Sequence, residues 1–365
     1  VLQRNDKPDQ HVYDIAINCN SRMIQDFNNW RISLIKRGFF EPSYMHVAYR
    51  LGELVLLFLL ATHVLFNGKV IMSLFIFGFF SGRCGWIQHE CGHLSFTCNK
   101  TIDKILQIIT IGFGLSTSGT MWNRMHNRHH ASTQKETLDM DLDTLPFVAF
   151  YKNAIDNSKY AYLVNRYWIK YQAYTFLMLT SGLFVMSYWI FLLHPLHVIR
   201  NFKLLEGCVM VFSHIIHTTI FKTALQCSYV YAYFLFFVTK WIAGIYLFGH
   251  FSTSHTFTKT VKAMTYPTWV DYALYHTVDI STQNPFISWF MGYLNCQCVH
   301  HLFPQMPQFR QHIVSKELEN FAKKWNKPYQ HIGYFEAWYK TFSNLNKVGN
   351  ELSTSQKMLN LKQQN

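Results

Sequence analysis

The sequence predicts an all-α membrane protein with about four transmembrane helices in two hairpins and a histidine-rich cap on the cytosolic side. Three observations carry this. Half of the 365 residues are hydrophobic, yet 33 Lys and Arg bring the net charge to +13, so apolar stretches alternate with basic polar ones. Several apolar stretches reach the ~20 residues with which a helix crosses a bilayer. The 19 histidines cluster, as His89-Glu90-Cys91-Gly92-His93, His126-Asn127-Arg128-His129-His130 and Gln297-Cys298-Val299-His300-His301. Histidine is costly to bury and is the commonest metal ligand. Three compact groups, each following apolar sequence, read as one metal site at a membrane surface. The basic charge fits nucleic acid or a cytoplasmic membrane face. It is spread along the polar segments and no motif reads bases, so the partner is the membrane and not nucleic acid.

Residues 1–45 are polar, with Arg31, Lys36 and Arg37 on an amphipathic helix ending near Gly38, and form a cytosolic N-terminal lead-in. No signal peptide opens the chain. Val1 in place of Met leads to the expectation of a fragment with something upstream missing. The membrane domain, 46–304, starts with HVAYRLGELVLLFLLATHVLF, long enough to cross. Asn67-Gly68 signals a turn, and VIMSLFIFGFF then leads through Arg83 to His89, completing a hairpin. Residues 1–50 carry seven Lys and Arg, the connector one, and residues 89–171 nine. By the positive-inside rule the N-terminus and the first two clusters face the cytosol. Residues 101–120, moderately apolar, read as a re-entrant or surface helix. Apolar stretches follow at 172–193, 204–222 and 226–249. If the third cluster completes the same site, an even number of crossings separates His130 from His300, so one stretch does not cross. The stretch 204–222 holds Glu206, His214, His217 and Lys222. Charges at bilayer depth are expensive, so this stretch is expected to lie in the interface. Residues 305–342 read as a cytosolic C-terminal cap, and the polar residues 343–365 as a disordered tail.

On a helix, positions i, i+3 and i+4 share a face. His89 and His93 therefore point together, as do His126, His129 and His130 in part. Adjacent histidines diverge by about 100°, so His129 and His130 can serve different metals, as can His300 and His301. Seven histidines exceed the needs of one four-coordinate ion and suggest two metals. Imidazole suits Fe, Zn, Cu and Ni alike. His250 or His255, after the last apolar stretch, completes the site, with His255 favoured. His63, His194, His197, His214, His217 and His276 read as interfacial or packing residues. The eight cysteines show no disulfide framework, which fits a reducing environment. His89-Glu90-x-x-His93 also matches the H-E-x-x-H zinc-protease signature, but that reading leaves two clusters unexplained. A histidine-lined metal transporter is another alternative.

The three clusters, in this order and spacing, resemble the histidine boxes of membrane fatty acid desaturases: HxxxH, HxxHH and a third box ending in HH. Gln297 opening the third box is similar to front-end (Δ5/Δ6-type) desaturases, which act between an existing double bond and the carboxyl end. DMDLDTLP after the second box and LNCQCVHHLFPQMP around the third belong to the same resemblance, which spans about residues 25–340. It implies a di-iron centre, O2 as oxidant, cytochrome b5 as electron donor and a fatty acyl lipid substrate, acyl-CoA or phospholipid. Carried over, the iron ligands are His89, His93, His126, His129, His130, His300 and His301, with His255 or His250, and Gln297 stands where a further ligand would be. Val299 departs from the pattern, which usually has Glu there. Asp139, Asp141 and Asp143 are candidate acceptors for histidine N–H groups, and Glu90, Arg124 and Arg128 candidates for orienting ligands or holding the acyl headgroup. Aromatic helices at 70–88 and 226–249 are candidate walls of the acyl slot. No HPGG haem motif occurs in this sequence, so the cytochrome b5 is expected either fused upstream or separate. Endoplasmic reticulum placement, with the boxes facing the cytosol, rests on the resemblance alone. A sphingolipid long-chain-base desaturase or related lipid hydroxylase is the alternative within the same fold.

Overall fold

A computed structural model describes residues 21–142, 144–155, 164–262 and 268–363. Helix α1 (Ser21–Lys36) ends just before Gly38, whose φ of +75° turns the chain. It buries Met23, Phe27 and Leu34 against Val299 and Phe303. Helices α2 (Tyr44–Phe66) and α3 (Val70–Gly92) form the expected hairpin. The Ser43 hydroxyl accepts from His46 N to start α2, and Gly68, at φ +74°, lets the chain reverse. The Ser73 hydroxyl donates to Ala61 O across the hairpin at 2.8 Å. Val55, Leu56 and Leu59 of α2 are exposed, as are Ile71, Met72 and Phe75 of α3. An apolar outer face of this extent suits lipid and not water.

Helix α4 (Lys100–Leu115) is capped by the Asn99 side chain, which accepts from Thr101 N and Ile102 N. At 16 residues it is shorter than a crossing needs, and it buries Thr110, Ile111 and Leu115. Helix α5 (Gly119–Ala131) carries the second histidine cluster. Three more long apolar helices follow: α6 (Gln172–Arg200), α7 (Leu204–Leu225) and α8 (Tyr229–Ser252). With α2 and α3 they make five helices long and apolar enough to cross a membrane among the described residues.

Their end contacts separate α6 from α7. At the start of α6, Gln172 Nε2 donates to Ala149 O and Leu345 O. Near its end, His194 Nδ1 accepts from Ser118 N at 2.9 Å, beside the start of α5. Both ends therefore lie at the level of the histidine clusters. Between them α6 loosens into π-helical turns at Phe176–Phe184 and Trp189–Leu193 and packs along the lower half of α8. Trp241 Nε1 donates to Met178 O, and a methyl on Gly244 would lie 2.7 Å from Ser181 O. Helix α7 starts at the same level, where Glu206 accepts from the Ser118 and Thr120 hydroxyls. Fifteen residues after Glu206, Phe221 meets Phe77 near the far end of α3. Fifteen residues of helix span about 22 Å. The stretch 204–222, expected in the interface, thus runs beside α4 and α8 and, like α6, is long and apolar enough to cross. Each polar residue that argued against α7 has a partner, although His217 Nε2 itself is buried without one. Glu206 sits at the end, His217 Nδ1 donates to Ser213 O, His214 meets Tyr233 OH, and Lys222 lies over the Tyr229 ring.

Helix α9 (Trp269–His276) precedes a two-residue strand, Asp279–Ile280, which pairs in parallel with His331–Ile332. Helix α10 (Gln297–Leu302) carries the third cluster, and α11 (Gln308–Lys324) packs beneath it. Residues 343–363 of the tail read as disordered are instead part of α12 (Tyr334–Gln363), and 364–365 lie outside the described residues. Leu345, Val348 and Leu352 are buried with Val148, Ile155 and Ile169. Their spacing makes a narrow apolar stripe that the polar composition of the segment conceals.

Candidate metal centre

Four chain segments meet beneath the apolar helices. Helix α3 ends on His89, with His93 as its C-cap, and α5 brings His126, His129 and His130. The turn after α8 brings His255, and α10 brings His300 and His301. All eight are buried. They form two groups within which the candidate ligand atoms lie no more than 4.8 Å apart: His89, His93, His126 and His300, then His129, His255 and His301. His130 lies between, its ring stacked on His301 at 4.2 Å.

The nitrogen spacings suit metal ions better than protons. His93, His126, His130 and His300 form a run of three Nε2–Nε2 contacts at 3.0, 3.1 and 3.1 Å. Each Nε2 has one proton or one lone pair, so His126 and His130, each in two of these contacts, cannot satisfy both with protons. Lone pairs converging on a cation can. Imidazole–metal bonds of about 2.0–2.1 Å at right angles place neighbouring nitrogens about 3 Å apart. His89 Nε2 and His301 Nε2 are also buried without a hydrogen-bond partner.

Outer contacts orient three of the rings. His129 Nδ1 donates to Asp139 at 2.9 Å and lies 3.4 Å from Asp141. Burial opposes charge on His129, but the Asp139 and Asp141 carboxylates outweigh it and raise the ring to about 9. Asp139 also accepts from Gln134 N at 2.7 Å, which closes the loop after α5. Asp143 lies outside the described residues. Thr133 Oγ1 is 3.2 Å from His301 Nδ1, and Gln308 Nε2 is 2.6 Å from His89 Nδ1. Thr133 and Gln308 carry no local signal in the sequence, because their contacts with His301 and His89 depend on how distant segments fold together.

Other candidates fall elsewhere. His250 turns away from both groups: Nδ1 donates to Tyr246 O and Nε2 meets Tyr334 OH. Of the pair, geometry brings His255 to the cluster. Gln297 lies one turn before His300 and His301, and its buried Oε1 has no partner. Val299 packs in the apolar cluster around Phe27 and Phe303. Glu90 accepts from Gln308 N at 2.9 Å and pairs with Arg50 of α2 at 3.8 Å. Held there, it is not a base for water at the histidines, which removes the structural support for a protease. Arg124 and Arg128 are exposed, and Arg128 borders the slot that opens from the histidines.

A slot of about 580 Å³ opens from the histidines, touching His126, His129 and His255. Its walls come from the loop after α5 (Leu142, Leu145, Phe147), from α6 (Phe176, Val185, Tyr188) and from the end of α8 (Phe248, Phe251). Helix α3, a candidate wall, contributes none of its lining. Trp86 instead packs against Tyr246 and Phe251.

Comparison with known proteins agrees with this geometry. The fatty acid desaturase family model matches residues 69–333. An acyl-lipid (8-3)-desaturase of Rebecca salina is 36% identical over 326 residues, 89% of this chain and 75% of the relative. A second acyl-lipid (8-3)-desaturase, of Thraustochytrium sp, is 34% identical over 92% of this chain and 76% of its own length. A Delta 8-(E)-sphingolipid desaturase of Komagataella phaffii is 25% identical over 89% of this chain and 62% of its own length. The histidine boxes, the buried cluster they build and these matches lead to one conclusion: the chain belongs to the fatty acid desaturase family.

Proposed function

We propose that this chain is a front-end desaturase that places a cis double bond between an existing double bond and the carboxyl end of a lipid-bound polyunsaturated acyl chain. Fatty acyl desaturation, an oxidoreductase activity, follows from the family. The lipid-bound substrate follows the printed names of the two most similar relatives described above, both acyl-lipid desaturases. The observation that carries the reading is the continuity of the apolar slot with both histidine groups.

The reaction sets the demands. An alkyl C–H bond offers no acid–base handle, so two iron ions held here would supply the oxidant from O2, two protons and two electrons delivered by cytochrome b5. His89, His93, His126 and His300 would hold one ion, and His129, His255 and His301 the other, with His130 between them. The protein does the rest. Leu142, Phe147, Val185 and Phe248 bind the chain and exclude water, and its depth in the slot selects the carbon presented to the histidines. Asp139 keeps the His129 Nδ1 proton, which leaves Nε2 facing inward.

For topology we propose crossings by α2, α3, α7 and α8, with α6 lying in the interface. This keeps the even number of crossings and puts every histidine cluster on the cytosolic face, in the endoplasmic reticulum. The test is expression in yeast with cytochrome b5, feeding of linoleic and dihomo-γ-linolenic acids, and gas chromatography–mass spectrometry of methyl esters. A new double bond on the carboxyl side of the existing ones supports the reading and assigns its position. Membrane-inserted, iron-loaded protein without a new peak would redirect the reading to sphingolipid bases.

A further inference from the structure

Gln308 stands at the start of α11, seven residues after the third histidine cluster, yet it reaches His89 at the end of α3. Its backbone N donates to Glu90 Oε1 at 2.9 Å, and its amide lies 2.6 Å from His89 Nδ1. Gln308 is 1% exposed and His89 fully buried. In the amide orientation drawn, Nε2 faces the ring and Oε1 is buried with no partner. His89 Nε2 is buried with no partner as well. Amide oxygen and nitrogen are told apart only by their hydrogen bonds. Rotating the amide by 180° puts Oε1 on His89 Nδ1, which then carries the ring proton. That change moves the amide's open position from Oε1 to the NH2 group and leaves the His89 Nε2 lone pair free to face His93, His126 and His300. The opposite orientation forces the proton onto Nε2, where it blocks ligation.

We propose that Gln308 is a positioning residue for the metal centre. It accepts the Nδ1 proton of His89, sets that ring's tautomer and is itself held in register by Glu90. The proposal rests on the reading of His89 as a ligand. It places Gln308 beside Asp139 and Thr133, which meet the Nδ1 atoms of His129 and His301 in the same way. A partner of this kind typically changes metal affinity by about 10–100-fold.

The test compares His89→Ala, Gln308→Leu and Gln308→Glu, purified in detergent from membranes, by iron per chain and by the rate of iron loss to a chelator. Leu keeps much of the volume but cannot accept a hydrogen bond from Nδ1–H, whereas a Glu carboxylate can. The expected result is iron loss at least tenfold faster for Gln308→Leu, with Gln308→Glu within about threefold of wild type. Wild-type retention by Gln308→Leu, or equal loss from Leu and Glu, overturns the role of Gln308. Wild-type iron content in His89→Ala overturns the reading of the centre itself. A thermal melt of each variant after iron removal separates misfolding from weakened ligation. If Gln308→Leu melts far below the stripped wild type, its role is packing and the proposal falls.

Discussion

Replacing Val185 with Trp should shorten the acyl chain that the enzyme accepts. Val185 lies on α6 where that helix walls the 580 Å³ slot. The indole fills space that the last methylenes of a long chain would occupy. Each buried methylene is worth about 0.8 kcal/mol, so two excluded methylenes forfeit about 1.6 kcal/mol. That corresponds to about 15-fold in relative use of substrates differing by two carbons. Val185→Ala opens the same space and should move the preference towards longer chains. The assay feeds yeast with the accepted polyunsaturated acid and its homologues two carbons shorter and longer, in competition, and reads product ratios by gas chromatography–mass spectrometry. Iron per chain equal to wild type shows that the centre is intact. Unchanged product ratios in both variants, with total conversion maintained, would refute the placement of the chain along α6.

Four other outcomes follow from the geometry. Asp139→Ala should lose iron about 10–100-fold more readily, whereas Asp139→Asn keeps an acceptor for His129 and should stay within a few fold, as read by chelator-driven release. With other cysteines replaced by serine, an Asn201→Cys variant should react with an impermeant maleimide on sealed microsomes, and Cys227 only after permeabilisation; the reverse pattern would refute the proposed crossings. Gly244→Leu should destabilise the fold by about 1–3 kcal/mol or more through overpacking, because even a methyl there meets Met186 at 2.5 Å and Ser181 O at 2.7 Å; a detergent melt reads it. Burial pushes the Asp279 carboxyl up from 3.8 to about 6. The folded state therefore holds that proton more tightly, a contribution present below pH 4 and lost as pH rises through 6. Asp279→Asn should flatten this part of the melting profile relative to wild type.

Much of the centre was legible because its residues are close in sequence. The spacings in HECGH, HNRHH and CVHH are helical spacings, and helices formed where the clusters predicted them. The hairpin of α2 and α3 followed from apolar length and Asn67-Gly68. What escaped was long-range. Glu206 looked too expensive for an upright helix because its partners, Ser118 and Thr120, lie 88 and 86 residues earlier. Nor does anything local in residues 172–193 show that Gln172 meets Ala149 and Leu345 while His194 meets Ser118. Composition could not place the slot either. Aromatic content pointed to α3, while the walls came from α6, the end of α8 and an irregular loop whose role appears only once folded.

The wide sequence separation of the clusters has a consequence for biogenesis. Each histidine group contains a residue from α10, so neither is complete before His300 and His301 leave the ribosome. From His89 to His301 the ribosome adds 212 residues, which at about 5–20 residues per second takes roughly 10–40 s. During that interval His89 and His93 sit at the foot of an inserted hairpin with no complete site to join. A metal ion therefore meets neither group complete until His300 and His301 have emerged, and a chain that stalls before residue 300 presents only part of each. The order of synthesis itself keeps an unfinished chain from displaying a finished site.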